Sequence, residues 1–225
     1  MNRPKTTEKK RILARPILIK YFALAAIFLI GISLHTYQID RPYCKPWEHG
    51  ELELRARNFL EEGFWKLHYL PVRNFFGGTP NYYLNHPPLA VIVLTLFMKL
   101  FGDSEFSARL SMITSALASM WLLYKIIQLE TSEKLALMTV FIVIFLPEYF
   151  YCGRTVSLYP FTLFVSMLTI WCFLKSIRSH KTGYQLALFL SVGLGVSSDW
   201  SYYLVPPSLL IYAIFRRRGW KLALG

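Results

Sequence analysis

The sequence predicts an all-α, polytopic membrane helix bundle of about six spanning helices, with interfacial and juxtamembrane helices in its first outer loop. Three observations predict it. Of the 225 residues, 54% are hydrophobic, and the mean hydropathy is +0.36; a soluble domain of this size does not need that much apolar matter. The apolar residues come in blocks, and about 20 mostly apolar residues span hydrocarbon as a helix. The formal net charge is +12, and its Lys and Arg residues cluster beside those blocks. That is the pattern of cytoplasmic span ends rather than of a nucleic-acid footprint, so nucleic acid is not among the expected partners.

Taken in order, the elements justify that class. A basic N-terminus (Arg3, Lys5, Lys9, Lys10, Arg11, Arg15) precedes the apolar block 22–34. It belongs in the cytoplasm, and a first helix over about residues 17–37 then runs outward. With its flanks the block is too long for a signal-peptide core, and the small triplet Gly31-Ile32-Ser33 lies inside it, so it reads as a retained anchor, with a cleaved signal the weaker alternative. A polar segment follows over 38–80. Within it, Leu52, Ala56, Phe59 and Leu60 recur at helical spacing over 47–61, and Gly63 ends that helix. The residues Gly77, Gly78, Thr79, Pro80 and Asn81 read as a flexible loop.

The apolar stretch Leu89–Phe101 is only as long as a buried or interfacial segment. If it spanned, Lys175, Arg178, Lys181 and the terminal cluster Arg216, Arg217, Arg218 and Lys221 would all face outward. If it lies at the outer interface, those clusters fall inside, with Lys125 and Lys134, while Arg154 and Asp199 face out. The second arrangement satisfies the positive-inside rule. The remaining apolar cores are 110–124, 135–150, 161–174, 186–196 and 202–215. The expectation is therefore one transmembrane domain over 1–225 in the plasma membrane, with a cytoplasmic N-terminus. The outer side collects the loop 38–106 and the turns at 152–159 and 197–200.

Two parts of the outer loop carry chemistry. In the 47–61 helix, Glu48 and Glu51 share a face at i and i+3, and Glu51 and Arg55 stand at i and i+4. An acidic pair near a helix start can hold a divalent metal or accept a proton, or it can be the solvated face of an amphipathic surface helix. In Asn85-His86-Pro87-Pro88, two prolines fix the backbone and place Asn85 and His86 at the interface. A histidine there is poised to titrate or to meet an anion; Tyr82 and Tyr83 read as belt aromatics. The three cysteines form no CxxC pair and no metal spacing.

Five ordered pieces carry a family resemblance: RARNFLEEG (55–63), YYLNHPPL (82–89), KLFGDSEFSARL (99–110), YCGRTVSLYPFTLF (151–164) and SSDWSYYLVP (197–206). Together they resemble the membrane glycosyltransferases of the GT-C type, family 39 group, which include protein O-mannosyltransferases and aminoarabinose transferases. The resemblance implies transfer of a sugar from a polyprenyl-phosphate donor to an acceptor glycan, lipid or protein on the non-cytoplasmic face. An outer-loop carboxylate would serve as base or metal partner, with a divalent ion (Mg or Mn) as the implied cofactor. Counting back from Arg57, Glu48 and His49 stand where the family's Asp-Glu motif falls, with Glu51 a nearby substitute. The implied catalytic residues are Glu48 and Glu51, with Glu48 as metal ligand. His49, His86, Arg154, Tyr159 and Asp199 are the implied substrate contacts. Tyr159 stands where many members carry a second acid, which puts a two-acid metal site in doubt, and Asp199 is placed to compensate.

The chain is short for such enzymes and ends at a basic cluster, so the expectation is the N-terminal part of a longer module. A truncated or non-catalytic membrane module that binds a lipid carrier or a partner subunit is the competing reading. A transporter is disfavoured by the lack of internal symmetry and of a polar midplane.

Overall fold

In the computed structural model the described residues are 6–37, 39, 48–179 and 181–217. The chain is mainly helical: α1 (Thr6–Thr36), α2 (Glu48–Glu62), α3 (Leu89–Phe101), α4 (Glu105–Glu130), α5 (Glu133–Ile144), α6 (Pro147–Arg154), α7 (Tyr159–Ser179), α8 (Thr182–Val196) and α9 (Val205–Arg217). A 3-10 turn, Trp200–Leu204, leads into α9.

α2 follows its periodicity. Leu52, Ala56 and Phe59 are all buried, and Gly63, at φ +84°, closes the helix with its N–H donating to the Phe59 carbonyl at 3.0 Å. The start of α4 is set by Ser104, whose Oγ accepts from the Ser107 N–H at 3.2 Å, with Glu105 in the first turn against the helix dipole. Ser132 caps α5 in the same way through the Leu135 N–H.

The core has three parts. α2, α3 and α4 bury Leu52, Phe59, Leu94, Met98 and Met112 together with Val72. α1, α4 and α5 bury Leu24, Ile27, Tyr124, Val140 and Ile144. α3, α7 and the 3-10 turn bury Ala90, Phe161, Val165 and Tyr202. α4 and α7 form the most extensive helix contact and run parallel, with Arg178 near the end of α7 bound to Glu130 at the end of α4 at 2.8 Å. Lys20 pairs with Glu133 at 2.7 Å across the same α4–α5 corner. One end of the bundle thus gathers those ion pairs. The opposite end gathers α2, the start of α3 and the turns before α7 and α9.

Four expectations change. The 77–81 region is a β-hairpin, β1 (Val72–Phe76) and β2 (Thr79–Tyr82), antiparallel, with Phe76 opposite Thr79 and an irregularity at 72–74. Gly77 and Gly78 form its two-residue turn, both at positive φ, as a type I′ turn requires; the fold is therefore helical with one small sheet. The apolar core 135–150 is two helices, α5 and α6, bent by 69° at the break before Pro147. Pro147 sits at the first position of α6, where it has no N–H to offer a continuing helix. The core 202–215 likewise starts in the 3-10 turn and becomes α-helical only at Val205.

The fourth change is the count of spans. Among the described residues, α4 and α7 are long and apolar enough to cross a membrane, and a third span results if α5 and α6 are one broken crossing. The apolar part of α1 (Lys20–Thr36), α3 and α8 are shorter, so six single crossings are not established.

Candidate functional site

Three connections at the end of the bundle opposite the α4–α5 corner join the Asn85–Leu89 loop to the turn between α8 and the 3-10 helix. The Leu89 N–H donates to the Ser197 carbonyl at 3.0 Å. Trp200 Nε1 donates to the Asn85 carbonyl. His86 Nδ1 lies 2.7 Å from Asp199 Oδ1. Pro87 and Pro88 stiffen the loop between these ties. Residues more than a hundred positions apart are thereby fixed against each other.

A cavity of about 540 Å³ opens there, lined among others by Glu51, Arg55, Tyr83, His86, Tyr159 and Asp199. Ser157, Trp200 and Ser201 complete its polar wall. The Asp199 carboxylate is buried and three times bonded: Oδ1 to His86, and Oδ2 to the Ser201 N–H at 3.3 Å and the Ser201 hydroxyl at 2.6 Å. Burial pushes its pKa up. The donors from Ser201 and His86 outweigh that, and the net shift is downward. An ionised carboxylate only accepts, so His86 carries its proton on Nδ1 and turns Nε2 away from Asp199.

Arg55 is 4% exposed. It makes an ion pair with Glu51 one helical turn earlier, and its guanidinium carbon stands 3.5 Å from the centroid of the Tyr83 ring. Among the described residues its Nε has no hydrogen-bond partner, and neither has the buried hydroxyl of Ser157, which lines the same cavity. Tyr83 in turn stacks on the His86 ring, with centroids 5.8 Å apart and planes 14° from parallel. Arg55 and Ser157 both line the cavity, and a guanidinium and a hydroxyl are donors that suit an anion with several acceptor oxygens.

Beside this cavity lies a second of about 570 Å³, walled mainly by apolar groups of α5, α6 and α7, including Val143, Leu146, Tyr149, Pro160 and Leu163. Tyr159 and Ser201 line both.

Of the residues expected at the site, Glu51, His86, Tyr159 and Asp199 share the polar cavity. Arg154 does not line it; it ends α6 with its guanidinium 5.3 Å from the Phe150 ring. The side chains of Glu48 and His49 lie outside the described residues, although both belong to the first turn of α2. Among the described residues no three His, Cys, Asp or Glu side chains gather to hold a metal ion. Arg55, Tyr83, Ser157, Trp200 and Ser201 are participants that sequence reasoning missed. The spacing of Arg55, one helical turn from the expected site residue Glu51, is the signal that the sequence offers for it.

Comparisons with known proteins bear on the family and the fold. Residues 85–224 match the family described as dolichyl-phosphate-mannose-protein mannosyltransferase. Two relatives from Bacillus subtilis (strain 168) are "Putative mannosyltransferase YkcB", 26% identical over 58% of this chain, and "Putative mannosyltransferase YycA", 22% identical over 90% of it. The chain spans 19% and 29% of their lengths. Among solved structures, ArnT from Cupriavidus metallidurans superposes with a TM-score of 0.67 in the apo state, over 93% of this chain and 38% of ArnT, at 17% identity. ArnT bound to undecaprenyl phosphate gives 0.69, over 90% of this chain and 36% of ArnT, also at 17% identity. With more than half its length matched by that family and its fold superposing on that of ArnT, the chain belongs to the dolichyl-phosphate-mannose-protein mannosyltransferase family and is of the GT-C membrane glycosyltransferase type.

Proposed function

We propose that this chain forms the donor-binding part of an enzyme that transfers a hexosyl or pentosyl unit from a polyprenyl-phosphate carrier to an acceptor glycan, lipid or protein. The reaction takes place on the non-cytoplasmic face of the plasma membrane. The observation that carries the proposal is the pair of adjoining cavities. A donor of this class is a hydrocarbon chain ending in a sugar phosphate. The apolar cavity between α5, α6 and α7 suits the chain, and the polar cavity, lined by Arg55, His86 and Ser157, suits the phosphate. ArnT is the neighbour with undecaprenyl phosphate bound.

In the transfer, negative charge grows on the phosphate as it leaves the anomeric carbon. A guanidinium held in a largely buried wall is preorganised to stabilise that charge. Glu51 keeps Arg55 turned toward the cavity through their ion pair. Tyr159, at the junction of the two cavities, and Asp199 are proposed substrate contacts, with His49 and Arg154 as outlying ones. Glu48 remains the proposed carboxylate of the outer-loop motif. A divalent ion, Mg or Mn, would enter through Glu48, and chelation followed by re-addition of each metal reads whether one is needed. Sidedness follows from charge: the end carrying Lys20, Lys125, Lys175 and Arg178 is cytoplasmic and the cavity end outside.

The test is transfer of radiolabelled sugar from polyprenyl-phosphate donors by membranes containing the chain. Label should move to an acceptor, and Arg55→Ala should lower the rate at least about tenfold, the loss expected when a charge-assisted bond worth ~1.5–3 kcal/mol is removed. Donor binding without transfer would instead favour the non-catalytic carrier-binding module. That second reading draws on Tyr159, which occupies the place expected of a second acid.

A further inference from the structure

We infer that Arg73, on the first strand of the hairpin, joins Arg55 in meeting the negative charge that the carrier phosphate gains when the sugar leaves. The site then prefers the spent carrier to the donor. The inference deepens the transfer reaction proposed above and rests on it.

Each basic side chain that lines the polar cavity already faces a carboxylate, Arg55 that of Glu51 and His86 that of Asp199. Arg73 stands outside both pairs. It is exposed, and among the described residues it makes no hydrogen bond or ion pair. Its guanidinium carbon lies 4.7 Å from the centroid of the Tyr83 ring, the ring that also carries Arg55 at 3.5 Å and that lines the cavity. One aromatic ring thus holds two guanidiniums, and the second brings a positive charge that no carboxylate offsets.

The backbone aims Arg73 at that ring. Val72 faces Tyr82 and Asn74 faces Asn81, so Arg73 is the extra residue of a β-bulge. A bulge leaves its extra residue out of the ladder and redirects the side chain. The base of the hairpin is fixed on both sides of it. The Val72 carbonyl accepts from Asn58 Nδ2 at 2.6 Å, and Asn58 stands three residues after Arg55 on α2. The Tyr83 N–H donates to the Pro71 carbonyl at 2.7 Å. Arg73, Tyr83 and Arg55 are therefore held together by short ties, and the stem of Arg73 is the part left free to move.

The chemistry supplies the charge. In the donor the phosphate is a diester with a single negative charge. On transfer the acceptor O–H bond breaks and its proton goes to the carboxylate of the outer-loop motif. The acceptor oxygen bonds to the anomeric carbon, and the bond from that carbon to the phosphate oxygen breaks, its electron pair staying on the phosphate. The carrier becomes a monoester, whose second ionisation falls at about pH 6. Arg55 has a carboxylate beside it before and after the step, whereas Arg73 has its full charge to give to the second anionic oxygen.

The test is binding by the whole chain, in lipid nanodiscs, of two probes with the same hydrocarbon chain: a polyprenyl phosphate, and that phosphate esterified to a hexosyl unit. At about pH 8, Arg73→Gln should weaken binding of the first about tenfold, the usual loss of a hydrogen bond between charged groups, and of the second about threefold or less. From about pH 5 to about pH 8 the wild-type chain should bind polyprenyl phosphate more tightly as its second proton leaves, and Arg73→Gln should lose most of that gain. The cavity's own groups, Glu51, Arg55, Tyr83, His86, Tyr159 and Asp199, are common to both proteins, so their titration cancels in the comparison. Equal weakening of the two probes overturns the inference, and so does an unaltered gain with pH. If Arg73→Gln does not fold, Arg73→Lys reads the same point. It keeps the charge and should keep the preference for the monoester, and a folded Arg73→Lys that binds both probes alike overturns the inference. A wild-type chain that binds neither probe takes down the function proposed above together with this inference. Wild-type binding of both, matched by Arg73→Gln, removes only the role of Arg73.

Discussion

Burying a guanidinium with one of its N–H groups unpartnered is costly, so the surroundings of Arg55 need an account. A carboxylate four residues earlier on the helix, the face of Tyr83 and the cavity that Arg55 lines supply one. Asp199 shows the opposite balance, a buried carboxylate supplied with donors until its ionised form is preferred. The linkage has a definite sign. A carboxyl whose folded pKa lies below its unfolded value adds stability at all pH above the ordinary carboxylate range. That contribution is lost as pH falls through the range toward the folded value. Thermal unfolding in detergent should therefore find Asp199→Asn less stable than wild type by about 1–3 kcal/mol at neutral pH, with the gap closing below about pH 4. A gap that stayed constant into acid would count against the hydrogen-bond account. Residue types told part of this story in advance: a His after Asn and before two prolines, and an Asp beside Trp, were legible as chemistry. Their 2.7 Å pairing was not, because it joins loops 113 positions apart that only the fold brings together.

The 3-10 turn depends on one close approach between elements. Tyr202 is fully buried, its hydroxyl 2.7 Å from the Thr169 hydroxyl, and its ring lies directly over Gly195 of α8. A Cβ at position 195 would fall 2.0 Å from a Tyr202 ring carbon, whereas one at Gly193 would meet nothing within 4 Å. Gly195→Ala should accordingly destabilise by about 1–3 kcal/mol, the cost of overpacking. Gly193→Ala should be neutral or stabilising by up to ~1 kcal/mol through helix propensity. The difference in thermal midpoint between the two variants is the measurement, and equal midpoints would mean that Tyr202 yields freely. At this scale the helical spacing of Leu52, Ala56 and Phe59 was readable because α2 has one buried face. The hairpin was not, because Phe75 and Phe76 are both exposed and leave no alternation to see. The break before Pro147 was hidden by the apolar residues on both sides of it, which hold hydropathy high through a 69° turn.

Across the whole molecule, charge is sorted by end. Lys20, Glu130, Glu133 and Arg178 pair at one end of the α4–α7 packing, and Glu51, Arg55, His86 and Asp199 gather at the other. The parity argument from composition separated Arg178 from Asp199, and these two lie at opposite ends of the bundle; which end faces the cytoplasm belongs to the proposed function. The number of crossings was less legible, because apolar length does not separate a straight helix from a bent pair.

The 69° bend also affects how a substrate would arrive. Because α6 turns away from the axis of α5, the apolar cavity is walled by residues of the bend itself, Val143, Leu146 and Tyr149, together with α7. On the proposed function, a polyprenyl carrier reaching such a recess would travel within the bilayer, so its working concentration would be a mole fraction among lipids rather than a molarity in water. Diluting a fixed amount of donor with inert detergent at constant volume should slow transfer in proportion to the surface dilution, and a rate indifferent to it would indicate capture from the aqueous side. Encounter would then be a two-dimensional search, set by membrane fluidity and by how many carriers share the leaflet.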